Sequence, residues 1–214
     1  MAISLARRNL LAAELPKCAS RAGAEFTELS GSESEVRLAY LGEQCRVFVS
    51  RGGVTPVLVT RLADDTPLSP ADTLVILHYL LAARGGPPVG KSVTFQELWG
   101  GSIYIDAFRR RAIQPWIQLV SGCGGAAAAS AKERLAGIVE CLGATVGGLG
   151  DLSISVPILP RLRLAYVYWE GDDELPASGN ILFDAGSNDY LPTEDLAYVA
   201  SVPIWRLGKI LATQ

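Results

Sequence analysis

Residues 159–201 read LPRLRLAYVYWEGDDELPASGNILFDAGSNDYLPTEDLAYVAS, and this stretch decides the fold. Apolar residues dominate 162–169 and 179–184, with Trp169-Glu170-Gly171-Asp172-Asp173-Glu174 between them. Two apolar runs flanking a turn rich in Gly and Asp predict a pair of strands joined by a hairpin. Pro192 followed by Thr193, Glu194 and Asp195 predicts a helix from about residue 193, because helix starts attract caps and acids. A further strand is expected at 152–157, completing an antiparallel unit.

Upstream of this unit the pattern turns helical. Residues 125–142 are Ala-rich, with Ala131, Leu135, Ile138, Val139 and Leu142 along one face. Residues 103–120 place Ile105, Phe108, Ala112, Ile113, Trp116, Ile117 and Val120 on one stripe, which Pro115 should kink or divide. Ser69-Pro70 supplies a cap and a first helical residue for a helix over 70–84, apolar nearly all round and therefore central. Near the N-terminus, 3–24 predicts a helix interrupted at Pro16, and Gly31-Ser32-Glu33-Ser34-Glu35 reads as a polar break. Val36–Tyr40 and Cys45–Val49 alternate around Gly42-Glu43 as a hairpin, and another strand is expected at 56–60. Strands, helices, strands and a last helix make an α+β fold, with several helices on a mostly antiparallel sheet. One domain over 1–214 is expected, with a small N-terminal lobe at 1–66 as a variation on it.

Composition removes several classes of function. Apolar residues are 49% and charged residues 19% of 214, which is globular, and the net charge of −3 carries no footprint for nucleic acid or anionic lipid. The triplet Arg109-Arg110-Arg111 fans around a helix and reads as a solvated face. Since no run reaches the ~18 apolar residues of a membrane span, a cytoplasmic protein with no membrane partner is expected. Cys18, Cys45, Cys123 and Cys141 form no CxxC pair and His78 is the only histidine, so no self-contained iron–sulfur or zinc site is expected.

Residues 85–92, Gly-Gly-Pro-Pro-Val-Gly-Lys-Ser, match the phosphate-loop pattern G-x-x-x-x-G-K-S. Pro87 and Pro88 lack two of the N–H groups that such a loop turns on phosphate, and the preceding segment reads as helix rather than strand. Nucleotide hydrolysis is therefore not expected, although Asp184 at a strand end imitates the acid that holds magnesium in such enzymes.

The candidate ligand-binding residues are Tyr104, Trp169, Asp172, Asp173, Glu174, Asp184, Asp189 and Asp195. Aromatic rings, with Trp99 beside Tyr104 and Trp169, would wall an apolar pocket whose mouth carries the acids. Carboxylates in number suit a hard cation, and an apolar pocket suits a tetrapyrrole. For each acid a purely structural role as turn former or helix start competes with this reading. His78, alone on an apolar helix, reads first as a hydrogen-bonded core residue.

Residues 77–115, LHYLLAARGGPPVGKSVTFQELWGGSIYIDAFRRRAIQP, and 150–201, GDLSISVPILPRLRLAYVYWEGDDELPASGNILFDAGSNDYLPTEDLAYVAS, carry a resemblance to a family. In order and spacing the chain resembles DUF3786, a bacterial and archaeal domain of unknown function. Leu175 departs from the phenylalanine expected after the acidic turn. The resemblance implies a setting in anaerobic redox or corrinoid-type metabolism, with an iron–sulfur or corrinoid protein as partner. Any cluster would then belong to that partner. It implies no catalytic residues. The expected function is a ligand-binding or accessory protein; a carboxylate- or metal-dependent enzyme and a domain docking an iron–sulfur partner are the alternatives.

Overall fold

Tyr40 pairs with Glu43 across a turn of only two residues, Leu41 and Gly42, whose φ values are 52° and 80°. Two consecutive left-handed residues make the hairpin turn that matches the natural twist of the flanking strands. Leu41 accepts that backbone because its side chain is fully buried and its N–H donates to Ile158 O at 3.0 Å. The hairpin tip thereby ties one half of the molecule to the other.

The computed structural model describes residues 2–53, 55–122, 139 and 142–212. Helices α1 (Ala2–Ala12) and α2 (Leu15–Ala22) precede a meander of β1 (Glu25–Ser30), β2 (Glu33–Tyr40), β3 (Glu43–Ser50) and β4 (Val57–Arg61). Helix α3 (Pro70–Ala82) leads to β5 (Ser92–Thr94), α4 (Gly101–Phe108), a π-turn at Arg109–Ile113 and α5 (Gln114–Gly122). Strands β6 (Thr145–Val146), β7 (Leu152–Leu159), β8 (Leu162–Trp169) and β9 (Ser178–Asp184) follow, then α6 (Thr193–Val199) and α7 (Val202–Ala212). The second sheet has the order β5-β9-β8-β7-β6, and both sheets are antiparallel throughout. The fold is α+β.

Several local expectations meet their physical cause here. Ser69 Oγ accepts from Asp72 N at 3.1 Å and Pro70 opens α3, so the cap works as its sequence implies. Pro16 falls in the first turn of α2, where a missing N–H costs nothing, and the chain breaks just before it. The stripe on 103–120 is real, with Phe108, Ala112, Trp116 and Val120 all buried. Its continuity across Pro115 comes from the π-turn, in which Gln114 N reaches back to Arg109 O, five residues earlier. Trp116 anchors α5 by donating Nε1–H to Val167 O at 2.9 Å. The expected helix at 125–142 lies outside the described residues, save Val139 and Leu142, which are buried; Cys123 and Cys141 also lie outside them.

Two expectations differ from the fold. Residues 25–30 form β1, an edge strand exposed along most of its length, and the polar stretch 31–35 already contains the start of β2. The single C-terminal helix is two, because Pro203 lacks the N–H needed to continue α6 and instead starts α7. A single buried cluster runs from Ala6 to Leu207 and draws on both sheets and the helices. Among the described residues no helix is long and apolar enough to cross a membrane.

Candidate functional site

Helix α6 is short, but it lies against three parts of the chain far from it in sequence. Its first turn is set by Thr193, whose hydroxyl donates to Trp99 O at 2.5 Å, while Asn188 Oδ1 accepts from Trp99 N at 3.1 Å. Those bonds hold the turn that opens α4. Gly100 there has φ 73°, and a Cβ on Gly101 would stand 1.8 Å from Phe95 O, so only glycine fits.

With that turn fixed, each polar side chain of α6 meets a distant partner. Glu194 Oε1 accepts from Tyr104 OH at 2.6 Å, which holds the carboxyl below its ordinary range and pushes the phenol up. Asp195 Oδ2 lies 2.6 Å from His78 Nδ1, with the carboxylate side chain 13% exposed. Burial raises the Asp195 carboxyl, and the imidazole offsets part of that rise. Among the described residues nothing bonds His78 Nε2, and the Asp195 carboxylate fixes the orientation of the ring through Nδ1. Tyr198 OH donates to Asp72 Oδ1 at 3.2 Å, where Tyr40 OH also donates at 2.6 Å, and Ser69 Oγ lies 2.7 Å from the other carboxylate oxygen. Burial, with the Asp72 charge behind it, pushes the Tyr198 phenol up to about 12 and the Tyr40 phenol further still.

Between α4 and the α6–α7 pair lies a cavity of 370 Å³. Phe108 is its floor, itself stacked on Phe95 with ring centres 4.0 Å apart. Ala107, Ala197 and Trp205 form apolar walls, and Trp205 meets the Tyr198 ring edge-on at 6.0 Å and 71°. Its charged groups are Arg111 and Glu194. Arg111 makes no ion pair or hydrogen bond with any described residue, and α4 and the π-turn expose it to solvent.

The eight residues expected from sequence fall in five places. Tyr104 lines the cavity, and Asp195 sits on α6 against His78. Asp172, Asp173 and Glu174 lie in the β8–β9 turn, exposed, with Asp172 Oδ1 accepting from Glu174 N at 2.9 Å and Leu175 N at 2.8 Å. Those backbone donors pull the Asp172 carboxyl down. Trp169 ends β8 beside that turn and is 42% exposed. Asp184 stands at the other end of β9, about 20 Å along the strand. It accepts from Val89 N at 2.9 Å, Gly90 N at 2.6 Å and Gly186 N at 2.8 Å. The phosphate-loop pattern thus wraps this chain's own carboxylate, and the strand β5, not a helix, follows it. Asp189 pairs with Arg84 at 3.0 Å on the surface. Trp99 is 84% exposed and does not line the cavity between α4 and the α6–α7 pair.

Asp172, Asp184 and Asp195 therefore each have separate partners, and among the described residues no three acids, histidines or cysteines are placed to hold a metal ion. Glu194, Arg111, Tyr198 and Trp205 were not among the expected site residues. Their one sequence signal is spacing: 194, 197, 198, 201 and 205 recur at intervals of three and four, as do 104, 107, 108 and 111, although the first set spans the break between α6 and α7. Searches of curated proteins and of solved structures find no match. A family profile does match, over residues 14–205, and the chain belongs to DUF3786, a domain of unknown function.

Proposed function

We propose that the protein is a small-molecule binding module whose ligand sits between α4 and the α6–α7 pair. The observation that carries this reading is a cavity of 370 Å³ with apolar walls and two charged groups that are not paired with each other. Ligand sites of ~300–1,000 Å³ with few polar groups are typical, so this one suits a compact molecule better than a tetrapyrrole macrocycle. In the anaerobic redox setting implied by the family resemblance, the role is that of an accessory binding protein beside an iron–sulfur or corrinoid partner. The Trp205 indole on the cavity wall reports occupancy. Fluorescence titration with small apolar acids, amines and amino acids should give a saturable change in the wild type. In Ala197→Phe, which fills the cavity, the change should be lost. A wild type that shows no saturable response to any of them defeats the reading.

A further inference from the structure

On the binding reading above, we infer that the ligand is a zwitterion with an apolar body, namely an apolar or aromatic α-amino acid. The two charged residues that line the cavity are not neutralised by each other. Arg111 has no counter-charge among the described residues, and Glu194 accepts from Tyr104 OH through Oε1 with no cation paired to it. The two do not form an ion pair with each other. A volume of 370 Å³, that of a sphere about 9 Å across, is on the scale of one compact ligand.

The chemistry of the two groups differs, and a zwitterion satisfies both. A guanidinium fork takes a carboxylate through two parallel N–H···O bonds. The Glu194 carboxylate, which has no cationic partner among the described residues, accepts from an ammonium. An apolar acid alone would bring its charge beside Glu194 uncompensated, and an apolar amine would meet Arg111 in the same way. The side chain of the amino acid then lies on Phe108, Ala197 and Trp205, where burial of apolar surface supplies the attraction.

Calorimetric titration with L-phenylalanine, 3-phenylpropionate and 2-phenylethylamine tests this, because the three share one apolar body and differ in charge. In the wild type L-phenylalanine should bind about two- to fivefold more tightly than either analogue, the range for exposed charge pairs. Arg111→Gln should reduce L-phenylalanine to the affinity of the amine. Glu194→Gln should reduce it to that of the acid. Both substitutions are on the helix surface, so unchanged unfolding midpoints certify the fold, and Ala197→Phe should weaken all three compounds. If either analogue binds as tightly as L-phenylalanine, the zwitterion assignment falls while the binding reading stands. When none of the three binds the wild type the zwitterion assignment falls, and when Ala197→Phe leaves their affinities unchanged the cavity reading falls with it.

Discussion

The acidic turn at 170–174 and the acidic start of α6 at 194–195 look alike in sequence, yet one is closed on itself and the other reaches outward. In the turn, Asp172 takes the N–H groups of Glu174 and Leu175, two and three residues away. On α6, Glu194 takes a phenol from 90 residues away and Asp195 an imidazole from 117 residues away. The difference teaches where to look for function. A carboxylate satisfied by its own turn shapes the backbone, whereas one held by another element is positioned by the whole fold and can face a cavity.

The sharpest way to break this contrast is Gly101→Ala. No Cβ fits beside Phe95 O, so the start of α4 must shift against residues 95–96 and disturb the turn that Thr193 and Asn188 hold, at about 3 kcal/mol of stability. Chemical denaturation measures that loss, and a midpoint equal to wild type would show that α6 does not depend on the turn. Asp72→Ala comes next. It leaves the fully buried Tyr40 hydroxyl without its acceptor and frees Tyr198, at about 2–3 kcal/mol in the same assay. A smaller loss, about 1 kcal/mol, is expected for His78→Ala. That variant should also raise the Asp195 carboxyl further, since the imidazole is what lowers it, and carbon-detected NMR titration reads the change.

Titration also separates the two regions by sign. Burial raises Asp195 above its unfolded value of 3.8, so protonation favours the native state. Its contribution is complete below 3.8 and is lost as pH rises through the raised folded value. Asp172 is depressed below 3.8 by its backbone donors, so its contribution exists above that pH and is lost as pH falls through the depressed value. NMR should find the two aspartates on opposite sides of 3.8, and a shared midpoint would erase the distinction. Least of all is expected from Asp173→Asn, an exposed side chain whose replacement should leave the unfolding midpoint unchanged in a thermal melt.

Local chemistry made much of the fold legible. Ser69-Pro70, the 40–43 hairpin and the three strands between 152 and 184 carry their signals within a few residues, so caps, turns and apolar runs suffice to place them. Strand β1 was not legible, because Glu25–Ser30 is an edge with most side chains in water and no apolar alternation to mark it. The break between α6 and α7 had its sign in Pro203, but an apolar run on both sides masked it. The candidate site was the least legible part. Density of acids pointed to 169–174, where the turn explains them, while the cavity gathers Tyr104, Arg111, Glu194 and Trp205 from segments of ordinary composition.

By itself the sequence determined the fold class, most of the elements and the failure of the phosphate-loop pattern, since propensity, capping and a missing proline N–H act over a few residues. Only the tertiary structure decided that Asp184 fills that loop, that Asp195 meets His78, and that Arg111 and Glu194 face one cavity. Contacts between segments 80 to 120 residues apart depend on how helices and sheets pack, and packing is a property of the whole core.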